Sequence, residues 1–221
     1  MNLHTLSEYH PPMEPYIDVI YADKDILVLN KPSGILTVPG RYEYLSDCLA
    51  SRAAEKYPTA TIVHRLDMET SGVIIMALNK EAHVHISKQF ERRKTGKTYI
   101  ARLFGHLDGE EGTVDEPLIC DWPNRPKQMV CYERGKKAVT HWKVLEREKK
   151  ATRVQFTPIT GRSHQLRVHS LVLGHAILGD NLYAEGEAHD GADRLQLHAK
   201  TYTLFHPRTG EEVTFEAPEP F

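Results

Sequence analysis

Apolar positions in this chain come in short runs separated by polar turns, and the spacing within each run separates strands from helices. Ile17–Tyr21 and Ile26–Asn30 flank the polar stretch Ala22-Asp23-Lys24-Asp25 and predict two strands around a turn. The unbroken, β-branched run Val73–Leu78 predicts a buried strand. Ser46–Tyr57 predicts a helix stopped by Pro58, and Lys80–Arg93 a second helix ended at Thr95-Gly96. Thr98–Phe104, Val139–Leu145 and Arg153–Thr157 read as strands. Ser163–Leu173 predicts a helix closed by Gly174, the usual left-handed cap. Thr201–Phe205 and Glu211–Glu216 predict a closing hairpin. Residues 116–134 hold three prolines, a tryptophan and three cations, so a regular helix is excluded and an ordered excursion from the sheet is expected.

Strands outnumber helices and pair mostly as hairpins. The expected fold is therefore α+β: a mixed, mainly antiparallel sheet flanked by helices and loops. The 221 residues show no internal repeat, low-complexity tract or linker. They are expected to form one catalytic domain over residues 17–221 after an irregular arm at 1–16, with no extra N-terminal RNA-binding domain.

Composition narrows the picture. Hydrophobic residues at 40% and charged residues at 26% are ordinary for a soluble chain, and no apolar stretch has the length of a membrane helix. The N-terminus lacks the basic-then-apolar layout of a signal peptide, so a cytoplasmic location is expected; a monomer is expected as well. Three cysteines without CxxC spacing predict reduced thiols. Thirteen histidines raise the question of a metal, but His83/His85 and His164/His169 do not share helix faces and no HExxH occurs. No metal and no cofactor are expected, and His64, His169 and His198 are expected to hold loops by hydrogen bonds. The net charge of −2 excludes a general polycation, so any RNA contact must come from a local patch. Lys88, Arg92, Arg93, Lys94, Lys97 and Arg102 offer one.

The segment with most chemical content is His64-Arg65-Leu66-Asp67-Met68-Glu69-Thr70-Ser71-Gly72, which places one acid at the lip of the buried strand. Its pattern HRLDxxTSG resembles the catalytic motif of the RluA-type pseudouridine synthases. Asn30-Lys31-Pro32-Ser33-Gly34, Lys97-Thr98-Tyr99-Ile100-Ala101, Gly161–His169 (GRSHQLRVH), Gly174–Tyr183 (GHAILGDNLY) and Arg194–Ala199 (RLQLHA) match that family's other motifs in order, over roughly residues 17 to 216. The resemblance implies isomerisation of uridine to pseudouridine in structured RNA. It is strongest to members that modify both a tRNA anticodon loop and a 23S rRNA hairpin.

The implied roles fit the residue types. Asp67 is the nucleophile, since a carboxylate is ionised at neutral pH and can form a covalent intermediate with ribose or base. Burial alone would favour its neutral form, so it needs a cation, and the resemblance assigns Arg167. Arg65 is implied to enter the RNA stack where the uridine was. In a strand-like segment it would share a face with Asp67. Tyr99 is implied to stack on the extracted base or move a proton, and Leu166 to pack under it. Arg92, Arg93, Lys94 and Lys97 are expected to contact phosphates. Two other readings are a non-catalytic RNA-binding or RNA-folding module, which leaves Asp67, Tyr99 and Arg167 without purpose, and a nucleoside glycosidase, whose usual second carboxylate the HRLDxxTSG pattern does not specify.

Overall fold

The computed structural model describes residues 9–221; most of the expected N-terminal arm, residues 1–8, lies outside them. In chain order the elements are β1 (Val19–Ala22), β2 (Ile26–Lys31), α1 (Leu49–Lys56), β3 (Thr61–Ile62), β4 (Ser71–Ala77), α2 (Lys80–Glu91), β5 (Gly96–Phe104), β6 (Glu111–Asp115), β7 (Leu118–Cys120), β8 (Gln128–Val130), β9 (Val139–Arg147), β10 (Ala151–Pro158), α3 (Gln165–Val172), α4 (Glu187–Asp190), β11 (Leu197–Phe205) and β12 (Glu212–Glu216). Residues 9–16 carry no helix or strand. The described residues divide into two compact units, one built from residues 9–97 and 198–220, the other mainly from residues 98–197.

The first unit is discontinuous in sequence. β1 and β2 form the expected hairpin, β2 pairs antiparallel with β4, and β11 runs parallel to β4 with β12 returning beside it. Every residue of β4 is buried, as its continuous apolar run requires of a strand covered on both faces. One face carries Val73, Ile75, Ile26 and Val28 against Ala82 and Ile86, which lie one turn apart on α2. Helix α1 starts at Leu49 rather than at Ser46, because the Ser46 N–H is already bonded to Glu43 and Cys48 takes the capping role with Ser51. Asn79 caps α2 by accepting the Ala82 N–H.

The second unit is an antiparallel set in the order β5-β10-β9-β6. Ala101, Leu103, Val154 and Phe156 pack in it with Leu166 of α3. The proline-rich segment is a separate two-stranded hairpin, β7–β8. Helix α3 begins after His164, whose φ of +51° is left-handed, and ends at Gly174 with φ +83°. The mixed, mainly antiparallel α+β architecture expected from the sequence is present.

Candidate active site

Asp67 lies on an irregular turn between β3 and β4, and the segment that opens the motif series fixes that turn from below. Lys31, at the end of β2, is fully buried, and its Nζ donates to the carbonyls of Pro32, Met68 and Thr70 at 3.0, 2.7 and 2.9 Å. A buried ammonium needs its donors satisfied, and these three carbonyls satisfy them. The Gly34 N–H reaches Met68 O at 2.9 Å, the Ser33 hydroxyl donates to Glu69 O at 2.7 Å, and Thr37 Oγ1 donates to Leu66 O at 2.7 Å. The backbone is thus tied on both sides of Asp67. Beyond the turn, Ser71 Oγ meets His198 Nδ1 at 2.9 Å, and Gly72 adopts φ +113°. A Cβ at Gly72 would stand 2.2 Å from the Ala199 carbonyl, so only glycine allows β4 and β11 to approach there.

Replacing Lys31 with Met should leave the carbonyls of Pro32, Met68 and the buried Thr70 without their donor. We expect a loss of ~3 kcal/mol or more, seen as a fall of about 6–12 °C in melting temperature. A melting temperature within 2 °C of wild type would show that the turn does not depend on this ammonium.

His64 closes the turn from the side. Its Nε2 accepts the Ile75 N–H at 3.0 Å, which places the ring proton on Nδ1, and the ring packs on Phe90 and Tyr202. Burial, with the nearby Lys97 charge, pushes its pKa down to about 3. Because the unfolded chain takes up this proton near pH 6.5 and the folded chain does not, stability is full above pH 6.5 and falls as pH drops towards 3. In NMR, the His64 ring should show no titration between pH 8 and 4.5; a midpoint near 6.5 would contradict the neutral assignment.

Arg65 and Asp67 share this turn, Arg65 exposed and Asp67 half-buried. Residues 63–67 form bends and coil, not a strand, so a two-residue spacing does not itself set their faces. The basic run is split by its surroundings. Arg92, Arg93 and Lys94 are exposed where α2 ends, with Arg93 left-handed at φ +53°. Lys97 is half-buried, and burial lowers its ammonium pKa. Arg102 makes a two-point ion pair with Glu148.

In the second unit, Tyr99 sits on β5 opposite Phe156 and packs against the cluster containing Leu166, which is buried at 7% exposure. Arg167 is buried on α3. Its Nε and a terminal nitrogen donate to the two oxygens of Asp180 at 2.8 and 2.5 Å, and its guanidinium lies 5.1 Å from the centre of the Tyr183 ring. Asp180 Oδ1 also accepts the N–H groups of Leu182 and Tyr183. The Tyr183 hydroxyl meets His164 Nδ1 at 2.8 Å and accepts the Gln128 N–H at 2.7 Å. Residue-type reasoning missed Lys31, Asp180 and Tyr183; the available signals were a lysine closing an apolar strand before Pro32 and a lone acid within Ile177-Leu178-Gly179-Asp180.

The histidines expected to hold loops do so. Besides His64 and His198, His169 bridges Thr140 Oγ1 and Glu116 O. Asp23, Asp25 and His206 lie close enough to share a cation. However, Arg208 grips both oxygens of Asp25, and His206 bonds Asp23 at 2.8 Å, so the cluster is an ion-pair knot between two turns.

A family model described as RNA pseudouridylate synthase matches residues 25–171, two thirds of the sequence and the stretch that carries Lys31, Asp67, Tyr99 and Arg167. The chain belongs to the RNA pseudouridylate synthase family. This pseudouridine synthase is 54% identical over 217 residues to the dual-specificity RNA pseudouridine synthase RluA of Salmonella typhi, covering 98% of this chain and 99% of that one. It is 51% identical over 220 residues to the Haemophilus ducreyi protein of the same description, with the same coverages. Among solved structures, the human RNA pseudouridylate synthase domain containing 1 superposes with a TM-score of 0.80 at 30% identity, over 96% of this chain and 87% of that one. The protein is thus an isomerase that converts uridine to pseudouridine, and the non-catalytic reading of its RNA contacts is set aside. No helix among the described residues is long and apolar enough to cross a membrane.

Proposed function

We propose that Asp67 is the nucleophile of a synthase acting on two kinds of structured RNA, a tRNA anticodon loop and a large-subunit rRNA hairpin. The observation that carries the role of Asp67 is the turn beneath it, tied through Leu66, Met68, Glu69 and Thr70 to residues 31–37. A nucleophile so held needs no reorganisation when the substrate arrives. The two-substrate reading is supported by relatives 51–54% identical over nearly their whole length that are described as dual-specificity.

The reaction breaks the bond between ribose C1′ and uracil N1, turns the base, and joins C1′ to C5. The C5 proton leaves and N1 gains one, so the product is an isomer and no redox partner enters. Asp67 supplies the nucleophile that carries the substrate through the detached stage. Arg65, exposed two residues earlier, fills the gap left by the extracted base. We assign Tyr99 and Arg167 to the same reaction on their motif resemblance, Tyr99 against the base and Arg167 as the cationic partner of Asp67. Leu166 backs the base, and Arg92, Arg93, Lys94 and Lys97 contribute to phosphate binding. We read residues 17–221 as one catalytic domain; the family model, which draws on residues from both units, supports this.

RNA labelled with tritium at uracil C5 tests the proposal. Both an anticodon stem-loop and an rRNA hairpin should release tritium, one per modified uridine. Free uracil with the label retained would point to a glycosidase, and release from one RNA alone would remove the dual specificity. Tyr99→Phe keeps the ring and loses the hydroxyl. It should bind RNA within about threefold of wild type and turn over at least about 100-fold more slowly, the usual worth of a positioned proton donor or acceptor. Full activity in single-turnover assays would assign Tyr99 to stacking alone.

A further inference from the structure

The β7–β8 hairpin carries a surface that the chemistry at Asp67 does not use. Trp122, at its tip, is 65% exposed, and the Arg125 guanidinium lies 4.8 Å from its ring centre. A large aromatic left in water is unusual for a core-forming residue, and the single cation above it covers only part of the ring. The tip is also locally basic. Residues 117–137 carry five cations, Arg125, Lys127, Arg134, Lys136 and Lys137, against two acids, Asp121 and Glu133, in a chain whose net charge is −2.

The tip is held in shape by its own bonds. The Asp121 N–H reaches Lys127 O, the Asn124 N–H reaches Asp121 O, and the Lys127 N–H reaches Asn124 O, each at 2.9–3.0 Å. The Asn124 side chain closes onto Asp121 Oδ2 at 2.9 Å. A platform ordered before binding loses little entropy when a ligand arrives. Its strand β8 is wired inward, because the Gln128 N–H bonds the Tyr183 hydroxyl, and the Tyr183 ring lies under the Arg167 guanidinium.

We propose that this hairpin is a docking platform on which an unpaired base from the loop of the RNA substrate stacks on the Trp122 indole, with Arg125 and Lys127 holding the adjoining phosphates. The inference rests on the reading of this protein as an enzyme of structured RNA. An exposed indole beside cations fits a single-stranded base better than a duplex, because only an unpaired base offers a free face to stack. The Tyr183 link places the platform one residue away from Arg167, so loop docking and the catalytic helix share a contact.

The test is equilibrium binding of two RNAs, a stem-loop and a fully paired duplex of the same stem, to the wild type, Trp122→Ala and Trp122→Phe. Trp122→Ala should weaken stem-loop binding about tenfold, within the range for one base–aromatic stack, and leave duplex binding within twofold. Trp122→Phe should recover most of the loss. Equal weakening for both RNAs, no weakening for either, or a Phe variant as poor as Ala would each overturn the platform. Because the side chain is exposed, circular dichroism of the variants should match wild type. The binding assay is independent of turnover: a wild type that releases no tritium refutes the proposed substrates, whereas tritium release with unaltered Trp122→Ala binding refutes the hairpin alone.

Discussion

Asp67→Asn should abolish tritium release, by a factor on the order of 10⁴ or more, while the protein folds and binds RNA as before. The amide fills the same volume but cannot act as a nucleophile. The structure supplies the reason for retained folding: the turn is fastened through its main chain, by Lys31 to Met68 and Thr70, by Thr37 to Leu66, and by the Thr70 N–H to Asp67 O. A circular dichroism melt beside the activity assay separates this from Lys31→Met, where stability and activity should fall together. Turnover of Asp67→Asn within tenfold of wild type would remove Asp67 from the mechanism.

Arg167→Met should be the most damaging change to the second unit. It strands Asp180, which is fully buried and gripped at two points, and breaking such a pair costs about 3–5 kcal/mol. The melting temperature should drop by roughly 6–20 °C. Motif resemblance alone assigns Arg167 to Asp67; the geometry adds a structural duty towards Asp180, so loss of activity in this variant is ambiguous by itself. Pairing it with Asp180→Asn resolves the ambiguity. The amide removes the stranded charge and still accepts the Leu182 and Tyr183 N–H groups, so much of the stability should return. If Arg167 also serves the chemistry, activity should stay at least about 100-fold down. Recovery of activity in step with stability would confine Arg167 to packing.

The sequence makes the strong periodic elements legible and hides those whose cause lies elsewhere in the chain. The run Val73–Leu78 is apolar because β4 is covered on both faces, and that cause is written in the residues themselves. β6 is not visible in this way: of Glu111-Gly112-Thr113-Val114-Asp115 only Val114 is buried, and the segment is a strand because β9 offers it a partner. α3 begins two residues later than its composition predicts because His164 takes a left-handed turn first. Composition excludes a regular helix at 116–134, but the pairing of Leu118 with Val130 depends on the tip bonds around Asn124. In the site, Asp67 and Arg65 stand out by motif. Lys31 and Asp180 lie inside matching motifs, but their roles are not legible there, because each acts through a carbonyl or guanidinium brought near only by the fold.

The close approach of Gly72 to Ala199 sets an order on biosynthesis. β4 is made early, yet its parallel neighbour β11 is made only after some 125 further residues have been added. At about 5–20 residues per second, a nascent chain carries its HRLD turn for roughly 6–25 seconds before that neighbour exists. During that interval the Ser71–His198 bond and the glycine contact are missing, and the start of β4, at Ser71 and Gly72, lacks its pairing with β11. Emerging chains should therefore be inactive, and they should be most vulnerable to aggregation and proteolysis around residues 71–77.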